Sequence, residues 1–478
     1  MSIEQQISRK QRPPFHDRTK EAIEHPFLQK AVRYTQDRLR GGKKRAEAEI
    51  GNWEEWRLKA EAIRRHTVEH LDVYLDQFTT NVENAGGTVH FADTSQEVLD
   101  LVTQIVRKKE ARSIVKSKSM VSEEVDLNHV MEQQGVEVVE SDLGEYIVQL
   151  ADEAPSHIIV PAIHKNRQEI TRLFSKEAGK LLSEETAELT AFARKRMREK
   201  FLQADIGITG CNFGVAESGS VVLVTNEGNA RMSTTLPDTH IVVMGMERIA
   251  PRWRDLDVLL TMLTRSATGQ KITSYVTALT GPRREGEADG PKEMHVIVVD
   301  NGRSSMLGTG YQDVLHCIRC GACINVCPVY RQIGGHAYGG VYPGPIGAVL
   351  TPLLEGFEGW TELPYASSLC GACTDACPVR IPLHERLLDL RADEVETKQT
   401  PWSERLAFKG FGVLAEHPEW FEKAAVMGHW MGKPLADQEG FLQKGPGPLK
   451  GWTDSRDLPI PAKTSFRKWW RKEGKQDG

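Results

Sequence analysis

Apolar positions near the start of the chain recur mainly at three- and four-residue intervals. Ile63, Val68, Leu71, Tyr74, Leu75 and Phe78 stand in a stretch rich in Glu, Lys, Arg, Gln and Ala, so residues 1–84 are expected to form a helical N-terminal arm. The basic stretch from Arg38 to Arg45 contains Gly41 and Gly42, which reads as a solvated turn within that arm. From Gly86 the pattern changes. Short runs at 88–91, 113–117, 136–140 and 157–161 predict strands, and they alternate with helical patterns at 95–109, 123–134 and 146–151. Such alternation implies right-handed crossovers and a mainly parallel sheet. A helix over 169–202 follows, then β-rich segments at 204–214, 220–224, 240–250 and 294–300, with a helix over 255–264. Asn226, Gly228 and Asn229 mark a turn, and the polar, Gly- and Pro-rich segment 281–291 reads as an exposed loop. The α/β domain therefore spans 85–302. Beyond it the strands stop, and helical patterning returns at 384–394 and 402–428 before a Gly-, Pro- and Lys-rich tail. In that tail Trp469 and Trp470 lie among Lys463, Arg467, Lys468, Arg471, Lys472 and Lys475. This reads as a frayed terminus, with contact to an anionic surface as the alternative.

Composition narrows the function. With 478 residues, 40% hydrophobic and 27% charged, the chain has the profile of a multi-domain globular protein. Its net charge of -5 supplies no global basic field, and no helix-turn-helix pattern is present, so nucleic acid is not the expected partner. No apolar run approaches the length of a membrane span and the first residues lack a secretory signal, so the expected location is the cytoplasm, with peripheral membrane contact left open. Neither G-x-G-x-x-G nor a Walker phosphate loop occurs, which argues against a resident nicotinamide cofactor or ATP hydrolysis.

Seven of the eight cysteines crowd between Cys317 and Cys377. The run Cys317-Ile-Arg-Cys320-Gly-Ala-Cys323-Ile-Asn-Val-Cys327-Pro328 has the two, two and three spacing of bacterial ferredoxins. Three thiolates so spaced wrap one cubane, and the fourth is directed to another cluster, so a second cysteine group is required. It is present as Cys370-Gly-Ala-Cys373-Thr-Asp-Ala-Cys377-Pro378. Crossed ligation assigns Cys317, Cys320, Cys323 and Cys377 to cluster 1 and Cys327, Cys370 and Cys373 to cluster 2. Two 4Fe-4S clusters are therefore the expected cofactors. Ser367 stands where the second group's first cysteine belongs. Either Ser367 or another oxygen or nitrogen donor completes cluster 2, or one iron stays open, or the site holds three irons. Zinc fits poorly, because three cysteines at two-residue gaps do not suit one tetrahedral ion. Cys211 stands apart and reads as a buried structural thiol.

These residues carry a family resemblance. KSKSMVSEEV (116–125), VESDLGEYIVQL (139–150), PSHIIVPAIHKNR (155–167), GVAESGSVVLVTNEGNARM (214–232), the paired cysteine motifs and GGVYPGPIGAVL (339–350) resemble the lactate utilisation protein B family over nearly the whole length. The resemblance implies an α/β lactate utilisation domain with a fold similar to certain sugar-phosphate isomerases and CoA transferases. It also implies a mostly helical, ferredoxin-type two-cluster domain over 303–400 and a helical C-terminal segment over 401–478. The implied role is electron transfer during oxidation of L-lactate to pyruvate, with other subunits of the same system and with electron donor and acceptor proteins as partners. A second hypothesis places catalysis in the α/β domain, on a carboxylate or CoA-type substrate, with Glu217 as nucleophile. Ser218, Ser220 and the run Lys116, Ser117, Lys118, Ser119 are then candidate anion ligands, and His157 and His164 flank a predicted strand end.

Overall fold

The structure, a computed structural model, describes residues 13–474. Of these, the residues up to Glu394 form one compact unit and those from Val395 onward a second. Among the described residues of the first unit the arm forms four helices, α1 (Phe15–Ile23), α2 (Pro26–Ile50), α3 (Trp53–Glu69) and α4 (Leu71–Asn84), and residues 1–12 of the expected arm lie outside the described residues. The expected turn at Gly41 and Gly42 is absent, because α2 runs through both glycines without a break. A Cβ on Gly42 would lie 2.9 Å from the carbonyl oxygen of Thr268, at the end of the helix Trp253–Thr268. Close helix approach thus outweighs the roughly 1 kcal/mol that a mid-helix glycine costs.

The chain then forms β1 (Thr88–Ala92), β2 (Ser113–Lys116), β3 (Glu137–Glu140), β4 (Ile206–Thr209), β5 (Phe213–Val215), β6 (Ser220–Thr225), β7 (Thr239–Gly245), β8 (Ile249–Ala250), β9 (Tyr275–Leu279) and β10 (Glu293–Val299). Six of them make one sheet in the order β1-β10-β7-β4-β2-β3, and every pairing in it is parallel. β7 is buried along its whole length, as a strand covered on both faces must be. The remaining four form a smaller mixed sheet, β8-β5-β6-β9. From β2 the chain moves outward to β3 and then returns to β4 on the other side. This reversal opens a crevice at the carboxyl ends of β2 and β4.

Two further expectations differ from the structure, and one strand gives no sequence signal. Residues 157–161 form turns and not a strand, because the His157 ring takes over the backbone: its Nδ1 accepts from the amides of Ile159 and Val160 at 2.9 and 3.2 Å. The expected helix over 169–202 is two helices, Arg167–Ala178 and Thr186–Gln203, parted at Gly179 with a φ of 64°. β9 had no clear pattern because Tyr275 and Val276 are exposed at a sheet edge.

In the second unit, helices Trp402–Glu416 and Pro418–Gly432 bury no residue, and a short antiparallel pair joins Phe441–Leu442 to Leu458–Pro459. The tail is more ordered than a frayed terminus. Ser465 caps a helix over Phe466–Lys472 by accepting from the Lys468 amide. No helix among the described residues is long and apolar enough to cross a membrane.

The two glycines of α2 make opposite predictions. Gly42→Val should lower unfolding stability by about 1–3 kcal/mol through overpacking. Gly41→Ala, where the nearest atom is the Arg45 guanidinium at 3.6 Å, should raise it by about 0.5–1 kcal/mol. Denaturant titration of both variants checks this, and equal destabilisation would show that the α2 contact is not set by Gly42.

Candidate metal centre

The two cysteine loops share one backbone at an offset of fifty residues. Arg319 and Leu369 both take the left-handed conformation, with φ of 59° and 53°. Gly321 and Gly371 follow with φ of 72° and 77°, each opening a five-residue helix, Ala322–Val326 and Ala372–Ala376. Both helices end on a cysteine, Cys327 or Cys377, with ψ of 120°. The likeness reaches the side chains. The Arg319 amide donates to Cys317 Sγ at 3.4 Å, and the Leu369 amide donates to Ser367 Oγ at 3.1 Å. Ser367 therefore occupies in the second loop the place that Cys317 occupies in the first.

The loops bring the thiols together in two sets. Cys317, Cys320, Cys323 and Cys377 line a single cavity, roofed by Ile158, Ile346 and Leu383. Cys327, Cys370 and Cys373 lie within electrostatic reach of one another, and the pKa of the Cys373 thiol rises to about 11 through burial and the nearness of Cys327 and Cys370. In the first set burial pushes Cys320 up to about 12, with Cys377 adding to it. Thiols held this way are poor acids alone and need a metal to become thiolates. Amide donors already face the sulfurs: Tyr330 to Cys327 and Ile381 to Cys377, both at 3.4 Å. Such bonds are levers on cluster potential. The sets differ in exposure, since Cys370 is exposed whereas Cys320, Cys323 and Cys377 are buried. A second tight contact is Gly321, where a Cβ would meet Ile159 at 3.2 Å.

The arm clamps these loops through their carbonyls. From α2, Gln36 donates to Ile324 and Cys327 at 2.8 and 3.1 Å, and Lys43 donates to Ala376 at 2.9 Å. From α3, Arg57 donates to Cys377 at 3.0 Å and Thr374 at 3.2 Å. Arg64, fully buried, reaches the carbonyls of Leu315, His316, Glu247 and Ile249. Arg248, just after β7, donates to the Cys317 carbonyl at 2.9 Å. Sequence reasoning missed these residues. Their signal was a seven-residue spacing, Gln36 to Lys43 and Arg57 to Arg64, which places each pair on one helix face.

A buried ion network joins the sheet to the first loop. Arg303 bonds Glu124 at 2.6 Å and Glu247 at 2.8 Å, and Glu247 also meets Arg319 at 3.3 Å. Burial alone would raise the Glu247 pKa, but Arg303, Arg319 and Arg248 outweigh it and hold the group at about 2. Arg319 also lies over the Tyr342 ring, 4.8 Å from its centre.

The structure places the α/β candidates in several different roles. Glu217 is exposed and accepts from the Trp253 amide at 3.0 Å, capping the helix Trp253–Thr268. It lines neither cavity and meets none of the other candidates. Ser218 and Ser220 bond each other at 2.8 Å. Lys116 is locked between Glu123 and Glu140 at 2.5 and 2.7 Å, and Lys118 pairs with Glu145 at 2.6 Å. Ser119 caps the turn that follows β2. Of this group Ser117, Lys118 and Ser119 line a second, larger cavity, together with Cys211. Burial pushes the Cys211 thiol up to about 12, an inert state. His164 bonds Glu153 at 2.6 Å. His157 packs under the first loop, its Nε2 donating to Asn325 Oδ1 at 3.0 Å.

Fold and site together define an α/β protein with a ferredoxin-type, two-cluster iron–sulfur region. Family models described as LUD domain, 4Fe-4S dicluster domain and Lactate utilisation protein B, C-terminal match residues 75–299, 313–381 and 393–475. The cofactors are two 4Fe-4S clusters. Curated relatives named Lactate utilization protein B include those of Shouchella clausii, 58% identical over 97% of this chain and 98% of that protein, and Oceanobacillus iheyensis, 54% identical over 96% of each. The chain belongs to the Lactate utilization protein B family. A solved DUF162 family protein from Deinococcus radiodurans aligns with 48% of this chain and 98% of its own at 16% identity, with a TM-score of 0.27.

Burial makes the site acid-sensitive. Burial pulls the pKa of His157 down from the ordinary 6.5 to about 4, and those of His240 and His316 down to about 3. Unfolding lets each imidazole take up a proton, so this stability is fully present above pH 6.5 and is lost as pH falls below it. For His157 the loss approaches about 3 kcal/mol by pH 4, at about 1.4 kcal/mol per pH unit. Denaturant midpoints measured from pH 7.5 down to 4.5 should therefore fall, and His157→Gln should flatten part of the slope. A midpoint that is constant over this range would contradict the buried neutral state.

Proposed function

We propose that this chain is the one-electron relay of a system that oxidises L-lactate to pyruvate, acting with other proteins of that system. The observation that carries this reading is the pair of thiol sets built on one repeated backbone. In it, Cys317, Cys320, Cys323 and Cys377 hold cluster 1, and Cys327, Cys370 and Cys373 hold cluster 2 with Ser367 Oγ as fourth ligand. The clusters supply sites that gain and lose single electrons when bound. Oxidation of lactate to pyruvate frees two electrons and two protons, and the chain's part is to pass those electrons singly.

The protein groups set the conditions. Lys43, Arg57, Arg64 and Arg248 put positive charge against the first loop and the helix leading to Cys377. The backbone amides of Arg319, Tyr330 and Ile381 donate to sulfur. Ile158, Ile346 and Leu383 exclude water from the first set. Cys370, at the surface, gives a partner protein its nearest approach. The lactate assignment rests on the family's name, and the reading places the protein in the cytoplasm. The helix Phe466–Lys472, with Trp469 and Trp470 exposed among four cations, supports peripheral contact with an anionic membrane. The alternative through Glu217 gains no support from a carboxylate that caps a helix.

Anaerobically purified protein should hold about eight irons per chain, the content of two cubanes. Cys320→Ser should abolish one EPR signal of the reduced protein and Cys373→Ser the other; loss of both signals from each folded variant would defeat the crossed assignment. Ser367→Cys should keep the iron content and shift only the signal lost in Cys373→Ser. A shift in the other signal would place the serine at the wrong cluster.

A further inference from the structure

The second cavity belongs to no part of the relay. It has a volume of about 530 Å³ and lies at the carboxyl ends of the parallel strands. Its walls come from Ser117–Ser119 after β2, Asp142–Gly144 after β3, Gly210–Asn212 after β4 and Glu247–Arg248 after β7. This is the crevice where the strand order reverses, the place where open α/β sheets bind ligands. The volume falls within the roughly 300–1,000 Å³ of small-molecule sites. Ile147, Leu223 and Leu263 supply apolar wall; Lys118, Arg248 and Arg319 supply cations, against the carboxylates of Asp142, Glu227 and Glu247.

Two buried polar atoms in that wall make no hydrogen bond among the described residues. Asn229 is 5% exposed and its side-chain oxygen is buried without a hydrogen bond, as is one terminal nitrogen of Arg319. Buried polar groups are almost always paired, and leaving one unpaired costs about 1–3 kcal/mol. An occupant that accepts from Arg319 and donates to Asn229 satisfies both. Arg319 also links the two cavities. It stands between Cys317 and Cys320, and both it and Ile158 line the thiol cavity as well as this one.

We propose that this cavity binds an organic anion, with a carboxylate or phosphate on Arg319 and a hydroxyl or N–H donor on Asn229, directly beside cluster 1. The claim of neighbourhood rests on the relay reading; the claim of binding does not. Glu247 already pairs with Arg319, so negative charge added on Arg319 makes the surroundings of the first thiol set more negative and that cluster harder to reduce. By reciprocity, reduction weakens binding by the same factor.

The test uses the full-length, anaerobically purified protein, calorimetry, and EPR of the dithionite-reduced form. L-lactate probes the carboxylate and flavin mononucleotide the phosphate. At least one should bind the oxidised protein, bind at least about five-fold more weakly after reduction, and perturb the EPR signal that Cys320→Ser abolishes. Ala267→Phe narrows the cavity from the helix Trp253–Thr268, outside the cysteine loops, and Asn229→Leu removes the unpaired acceptor. Each should weaken binding at least tenfold with iron content unchanged; should Asn229→Leu not fold, Ala267→Phe decides. Failure of both probes to bind protein with full iron content, or binding that both variants leave intact, overturns the proposal. Binding without iron in the wild-type protein would sink the relay and leave the anion site standing.

Discussion

The cysteine loops are irregular backbone drawn into the protein interior, and their carbonyls need donors that no strand or helix ladder can give them. Gln36, Lys43, Arg57, Arg64 and Arg248 are those donors. The rest of the first unit follows from this need. The arm must lie against the loops, α2 must run unbroken past Gly42 to carry Lys43, and the end of β7 must reach Cys317. A buried cation facing several carbonyls is itself stabilised by them, so neither side is satisfied without the other. The arm is therefore part of the metal centre's wall, and its residues share one apolar core with the cysteine loops and the small sheet.

Burial and charge pull in opposite directions at the same place. A desolvated thiol resists ionisation, and Cys320 and Cys323 are among the buried thiols whose pKa is raised. Metal reverses this, because bound thiolates are neutralised by iron, while the surrounding cations and amides stabilise the added negative charge of a reduced cluster. The network of Glu124, Arg303, Glu247 and Arg319 then ties the orientation of the first loop to the end of the sheet.

Much of this was legible along the chain. Parallel strands such as β7 and β10 announce themselves by continuous β-branched runs, and the thiol sets by spacing alone. Other features were hidden for stated physical reasons. Gly41 and Gly42 carry the local signal of a turn, and only a neighbour 2.9 Å away turns Gly42 into a packing surface. Residues 157–161 have strand composition, yet a histidine ring replaces the ladder. The apolar stretch at Ile158 and Ile159 has the pattern of sheet, yet Ile158 lines both the thiol cavity and its neighbour and Ile159 lines the neighbour. Glu217 stands at a strand end, as a nucleophile would, but the helix that needs a cap is 36 residues further on. Composition cannot report such distant partners.

The contrast between a walled-in thiol set and one with Cys370 at the surface has a practical side. Air reaches sulfur at the surface first, and oxidation there is faster than in the interior. Brief aerobic handling would erode the outer metal centre while the inner one, gripped by the arm, keeps its colour and its fold. Such a preparation loses the outer centre's share of the absorbance while its melting curve stays that of the inner one. Iron content per chain, read beside the melting curve, therefore reports on an outer centre that the fold itself does not reveal.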